Sequence, residues 1–162
     1  MQFEVWKTIK MGGGWQSFRK VLNTLHPLSK IYVVTQEARE IFPGATEIAD
    51  EETKIDLVKL TVGELGFKQQ HVSCNQLYER AKELGLELCP AEVGLRLRIE
   101  YQDQPDQESV FIAMEPIRDL QGWPQVFRVE RAGSKMVLRT RMGDAERVWD
   151  LNDLCVFCLP HK

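Results

Sequence analysis

The stretch from Val72 to Tyr101 constrains the fold more than any other part of this chain, because it predicts one helix together with both of its ends. Ser73 and Gln76 have capping-box spacing, in which each side chain bonds the backbone N–H of the other residue. Apolar residues then recur on one helical face at Leu77, Ala81 and Leu84. Gly85 permits the left-handed backbone conformation that ends many helices. The stretch therefore predicts a helix near residues 74–84.

After Gly94 the apolar positions change to a period of two residues, which is typical of a strand with one buried face. The apolar residues are Leu95, Leu97, Ile99 and Tyr101, and they alternate with Arg96, Arg98 and Glu100. This alternation predicts a strand over residues 95–101.

Hydrophobic periodicity predicts the remaining elements. Strands are predicted near residues 2–10, 54–60, 109–115, 125–131, 135–141 and 154–159, and helices near 15–26 and 30–42. Residues 31–34 allow either a short strand before a helix that Thr35 caps, or the start of one continuous helix, which helix propensity favours. Helices concentrate in the first half and strands in the second, which predicts an α+β fold. We expect a largely antiparallel sheet with these helices on one side.

Length and composition predict one globular domain over residues 1–162. Hydrophobic residues make up 43% and charged residues 28% of the chain, values typical of globular proteins. No apolar run approaches the roughly 18 residues of a membrane span, and the opening segment lacks a signal-peptide core. These features predict a cytoplasmic protein that has no membrane partner and reduced cysteines. Neither GxGxxG nor GxxxxGK[ST] occurs, so no cofactor is expected.

Several segments resemble one protein family. They are WKTIKM near the start, LYERAKELGLELCPAEVGLRLRIEY in the middle, and IAMEP and VFRVER later in the chain. The pattern is similar to that of a family of small uncharacterised bacterial proteins with a WKTIK-like opening, an ELGF segment and a YERAKELGLELCPAEVG core. Leu77–Gly94 is the most specific part, whereas Gly12–Gly14 and the cysteine-rich tail depart from the pattern. The resemblance implies one bacterial domain, and it implies no activity or catalytic residues.

Cys155, Cys158 and His161 have a spacing that could supply three zinc ligands. Residues 154–159 are apolar and strand-like, however, and residues three apart in a strand point to opposite faces. The sequence therefore favours buried thiols over a metal site.

Glu92 and Glu115 are the candidate catalytic residues. Glu115 follows an apolar strand and directly precedes Pro116, at a strand end where active sites often form. Two carboxylates with different pKa values could carry out the acid–base chemistry of a small hydrolase-like enzyme. The sequence brings no two carboxylates together, so it favours solvated charges and a protein that is not an enzyme.

The predicted hairpin over residues 126–141 is the strongest candidate for a binding surface. If the apolar residues Phe127, Val129, Met136 and Leu138 face inward, three arginines project from the opposite face: Arg128, Arg139 and Arg141. Such a ladder could bind phosphates or an acidic protein, and an ordinary solvated sheet face is the simpler alternative.

The favoured function is a soluble protein-interaction or regulatory module with an acidic protein partner. Nucleic-acid binding through the same hairpin is an alternative, although the net charge of −3 and the lack of a reader motif argue against it. The sequence leaves the oligomeric state and the biological process open.

Overall fold

The computed structural model describes residues 2–45 and 48–161, and within these ranges it has four helices and ten strands. The helices are α1 (Gly14–Thr24), α2 (Gln36–Glu40), α3 (Cys74–Glu83) and α4 (Glu92–Glu100). The strands are β1 (Lys7–Gly12), β2 (Tyr32–Val34), β3 (Glu52–Thr61), β4 (Val72–Ser73), β5 (Ser109–Ile112), β6 (Ile117–Arg118), β7 (Pro124–Ala132), β8 (Lys135–Met142), β9 (Val148–Trp149) and β10 (Leu154–Cys158). Short 3-10 turns span Phe42–Ala45 and Gly63–Leu65.

The main sheet has the strand order β1-β3-β10-β5-β7-β8-β2, and β6 pairs with β7. All of these pairs are antiparallel except β10 with β5 and β2 with β8. Strands β4 and β9 form a separate two-stranded sheet. The predicted α+β fold with a largely antiparallel sheet is confirmed.

The helices divide between the two faces of the sheet, so the expectation that they cover one side is wrong. On β10, Val156 packs into a first core with α1, α2 and α4, whereas Cys155 and Phe157 pack into a second core with α3. The central strands are apolar on both faces, and each face must therefore be covered. Among the described residues, no helix has the length and apolar content needed to cross a bilayer.

Helix α3 forms where the sequence predicts it, because its caps are local. Ser73 Oγ accepts from Gln76 N at 3.2 Å, and Gln76 Oε1 accepts from Ser73 N at 3.0 Å. Gly85 follows the helix with a φ of 83°. Two orphan donors of the first turn are thereby satisfied without help from the rest of the fold.

The predicted strand over residues 95–101 is wrong, because these residues form most of α4. The helix packs between the sheet and α1 and is buried on nearly all sides, so its polar residues do not mark a solvent face. Arg98, for example, is fully buried. A Cβ atom on Gly94 would lie 2.6 Å from the Phe127 side chain, so glycine permits the close approach of α4 to β7.

The continuous helix favoured for residues 30–42 is also wrong, and the alternative is confirmed. Tyr32–Val34 is a strand, and Thr35 Oγ1 then accepts from Ala38 N to cap α2. The strand forms because it pairs in parallel with β8, more than 100 residues later in the chain.

Two predicted strands are shorter than expected: the first begins at Lys7, and β5 ends at Ile112.

Candidate functional site: an arginine groove

An open groove of about 850 Å³ lies over β5, β7 and β8, on the face of the sheet that α3 partly covers. Four arginines contribute to its lining: Arg128, Arg139, Arg141 and Arg147. Four carboxylates do so as well: Glu37, Glu108, Asp150 and Asp153. We call this feature the arginine groove.

The register of the β7–β8 hairpin brings the central arginines together. Arg128 lies directly opposite Arg139, while Val129 lies opposite Leu138 and packs into the first core on the other face. Like charges at directly opposed positions repel each other. Glu130 offsets this repulsion, because its carboxylate accepts from Arg139 Nε at 2.7 Å and from Arg128 Nη2 at 3.4 Å.

Arg141 forms part of the groove wall and has little capacity left for a ligand. Its guanidinium carbon lies 4.0 Å from the ring centroid of Trp149 and 4.5 Å from that of Phe111. Nη1 donates to Asp153 Oδ2 at 3.3 Å, and Nη2 donates to the Val148 carbonyl at 2.7 Å. Its side chain is only 15% exposed. Arg141 therefore holds the segment around β9 against the sheet.

The other three arginines retain free N–H groups. Arg128 Nε donates to Ser109 Oγ at 2.5 Å, and Arg139 uses only Nε in its bond to Glu130. Within the described part of the chain, nothing accepts from Arg128 Nη1, from either Nη atom of Arg139 or from the exposed guanidinium of Arg147. The side chain of Arg128 is 33% exposed and that of Arg139 is 48% exposed. These donors are available to a ligand in the arginine groove.

Two of the groove carboxylates already have cationic partners. Asp153 is paired with Arg141, and Glu108 accepts from Lys59 Nζ at 3.2 Å and from Tyr101 Oη at 2.7 Å. Burial, together with the bond to Glu108, raises the pKa of Tyr101 above its usual range, so Tyr101 remains a donor.

The remaining two groove carboxylates, Glu37 and Asp150, are exposed. Within residues 2–45 and 48–161, no cationic side chain pairs with either of them. The groove is therefore a mixed surface, lined by free guanidinium donors and by two acids without a cationic partner.

The structure brings together Arg128, Arg139 and Arg141, the three arginines that strand alternation predicts on one face of the hairpin. Arg147 and Phe111 also line the arginine groove, although neither residue belongs to the hairpin. Sequence reasoning missed them because they come from other segments, β5 and the turn before β9. The only sequence feature that pointed to Arg147 was the density of bases that continues past the hairpin.

The two candidate catalytic carboxylates have unrelated surroundings. Glu92 is 5% exposed, accepts from Gly12 N at 3.1 Å and pairs with Arg96 Nε at 3.2 Å. Arg96 Nη2 in turn donates to the Gly12 carbonyl at 2.7 Å. Glu115 is exposed, and neither carboxylate lines the arginine groove. Glu92 thus fixes the glycine-rich connection between β1 and α1 to α4.

The three candidate zinc ligands do not converge. Cys155 packs in the second core and Cys158 in the first, because they occupy opposite faces of β10. Burial raises the pKa of the Cys155 thiol. In the ranges that the structure describes, no group of three or more His, Cys, Asp or Glu residues is arranged to hold a metal ion.

Comparisons with models of known protein families, with curated proteins and with solved structures give no match to this chain. The geometry of the arginine groove is therefore the basis on which a function is inferred.

Proposed function

We propose that this chain is a protein-interaction module whose arginine groove binds a partner segment that carries isolated acidic side chains. The observation that carries the proposal is the set of free guanidinium N–H groups on Arg128, Arg139 and Arg147, which line one open groove. Hydrogen bonds from guanidinium to carboxylate are among the strongest that side chains make, and their fork geometry gives directional recognition.

The distribution of charge supports a peptide rather than a polyanion. The exposed acids Glu37 and Asp150 would repel a strand of closely spaced phosphates, whereas a single carboxylate can bind the groove arginines with less repulsion. The aromatic residues of the groove region, Phe111 and Trp149, are 6% and 1% exposed. They therefore offer no exposed ring for base stacking, which single-stranded nucleic acid commonly uses.

The size of the arginine groove also suits a short segment. Its volume of about 850 Å³ falls within the range of roughly 300–1,000 Å³ typical of ligand sites. It is open along the sheet and has a polar lining, so a peptide can bind without prior opening of the fold.

The test is fluorescence anisotropy with a library of short peptides in which one or two acidic residues are separated by neutral ones. Each acidic peptide has a counterpart with amides in place of the carboxylates. We expect a subset of acidic peptides to bind, and Arg139→Gln to weaken their binding roughly 10- to 100-fold, as for the loss of a charge-assisted hydrogen bond.

The matched control is Arg19→Gln, which removes the same charge from an exposed site on α1, on the opposite face of the sheet. This variant should bind like the wild type. Equal affinity for acidic and amide peptides, or undiminished binding by the Arg139→Gln protein, would contradict the proposal. Strong oligonucleotide binding with steep salt dependence would favour the nucleic-acid alternative instead.

A further inference from the structure

Two of the four cysteines lie in direct contact, away from the arginine groove. The Sγ atoms of Cys89 and Cys158 are 3.1 Å apart, although the residues are separated by 69 positions in the chain. Cys89 precedes α4, and Cys158 is the last residue of β10. Both are free thiols and both are buried, at 4% and 2% exposure.

The backbone on both sides of the contact is firmly held. Glu87 and Cys158 exchange both of their backbone hydrogen bonds, each 2.9 Å long. Cys89 N donates to the Ala113 carbonyl at 2.7 Å, which ties the same loop to the end of β5. The two sulfur atoms are therefore kept together by the fold and do not depend on a flexible segment to meet.

A cavity leads to one of the two sulfur-bearing residues. Cys158 contributes to the lining of an open cavity of about 230 Å³, together with Glu87, Pro90 and His161. Cys89 does not line it. A small reagent in this cavity would therefore meet Cys158 rather than Cys89, whose sulfur lies 3.1 Å from that of Cys158.

The surroundings of Cys89 favour the protonated thiol. Burial and the neighbouring Cys158 thiol raise the pKa of Cys89. The other two cysteines, Cys74 and Cys155, are buried in the second core. Among the described residues, neither has a sulfur–sulfur contact of this kind.

We propose that Cys89 and Cys158 form a reversible dithiol–disulfide site that reacts with small disulfides. Deprotonated Cys158 attacks one sulfur of the small disulfide and releases the first thiolate, which takes up a proton. Cys89 then loses its proton, attacks the Cys158 sulfur of the mixed disulfide and releases the second thiolate, which is also protonated. The protein loses two electrons and two protons, and the small disulfide gains them and becomes two thiols.

The bond would join the loop before α4 covalently to the C-terminal strand at the centre of the sheet. Because it closes a long loop of the unfolded chain, it should stabilise the folded state. The oxidised protein should therefore melt at a temperature higher by roughly 5–10 °C.

The experiment incubates the full-length protein with glutathione disulfide, alkylates the remaining thiols and maps the linked peptides by mass spectrometry. We expect a Cys89–Cys158 link that dithiothreitol reverses. Links that involve Cys74 or Cys155, stable glutathione adducts without an internal link, or four cysteines that stay alkylatable would each overturn the proposal. This readout uses the wild-type protein, so it does not depend on whether a variant folds.

Thermal melting provides a second readout. Oxidation should raise the melting temperature of the wild type but not that of Cys158→Ala. Cys155→Ala is the matched control, because it removes a buried thiol from the opposite face of the same strand and should retain the shift. An equal shift in the Cys158→Ala protein would also overturn the proposal.

Discussion

Arg98 Nη1 donates a 2.7 Å hydrogen bond to the backbone carbonyl of Glu130, whose carboxylate holds Arg139 in the arginine groove. The guanidinium of Arg98 also donates to Gln104 Oε1 at 2.7 Å and to the Tyr101 carbonyl at 2.9 Å. Its side chain is fully buried, and this burial lowers the pKa of Arg98 to about 10. Helix α4 and the arginine groove are thus connected through one residue of β7.

Replacement of Arg98 by methionine should strongly destabilise the fold. The substitution keeps an apolar stem of similar length but removes the donors to the Glu130 and Tyr101 carbonyls and to Oε1 of the buried Gln104. We expect the free energy of unfolding to fall by about 2–4 kcal/mol in urea titrations. Arg19→Met on the exposed face of α1 is the control and should change it by less than about 0.5 kcal/mol. An Arg98→Met protein as stable as the wild type would show that the bonds contribute nothing net.

Glu92→Gln should affect stability and leave groove binding intact. The carboxylate pairs with Arg96, and both side chains are nearly buried, at 6% and 11% exposure, so its neutralisation leaves a cation with little access to water. We expect a loss of about 3 kcal/mol in the free energy of unfolding. The folded fraction should bind acidic peptides like the wild type. Loss of peptide binding without loss of stability would assign Glu92 a functional role instead.

Gly94→Ala tests the close packing of α4 on β7. Alanine is the better helix former, so propensity alone predicts stabilisation. The added Cβ would lie 2.6 Å from Phe127, however, and we expect a net loss of about 1–3 kcal/mol. Gly63→Ala is a matched comparison, because its Cβ would meet the nearest atom, the Leu151 carbonyl oxygen, at 3.3 Å. If the two variants were equally stable, the helix would not pack as tightly as described.

Arg139 and Arg141 should respond differently to the same change to glutamine. Arg141 contacts two aromatic rings and two acceptors, so Arg141→Gln should lower the free energy of unfolding by about 2 kcal/mol. Arg139 is half exposed and, among the described residues, its side chain bonds Glu130 alone, so Arg139→Gln should stay within about 0.5 kcal/mol of the wild type. Chemical denaturation of the two variants gives both values. The reverse ranking would mean that Arg139 has the structural role.

Stability should decline as the pH rises above about 8 under reducing conditions. The pKa of Cys155 is raised above its ordinary value of 9.0 by burial, so the folded state keeps a proton that the unfolded state releases. The resulting stability is complete well below pH 9, where the thiol is protonated in both states, and is lost progressively as the pH approaches and passes 9. For one such thiol, the free energy of unfolding should fall by about 0.8 kcal/mol between about pH 7.5 and 9.5. Urea titrations at these two pH values should show a smaller decline for Cys155→Ala than for the wild type. An unchanged decline would place its origin elsewhere.

Sequence alone was sufficient for α3 because its determinants lie within a few residues of one another. The Ser73–Gln76 capping box satisfies backbone N–H groups at the start of the helix, and Gly85 ends it. Both effects are local and do not depend on what packs against the helix. The sequence also predicts that the hairpin arginines share one face of the sheet. Strand alternation places Arg128 and Arg139 on one face and the apolar residues on the other. Alternation also separates Cys155 from Cys158 on β10.

Tertiary structure decided the features whose partners are distant in the chain. Residues 95–101 alternate like a strand but form a helix, because a site between the sheet and α1 buries both the leucines and Arg98. Tyr32–Val34 is a strand only because β8 supplies its hydrogen-bonding partner. The contact of Cys89 with Cys158 and the place of Arg147 in the arginine groove have the same origin. Local hydrogen bonds and periodicity can be seen in the sequence, whereas burial of a polar side chain and contacts across dozens of residues depend on how the elements pack.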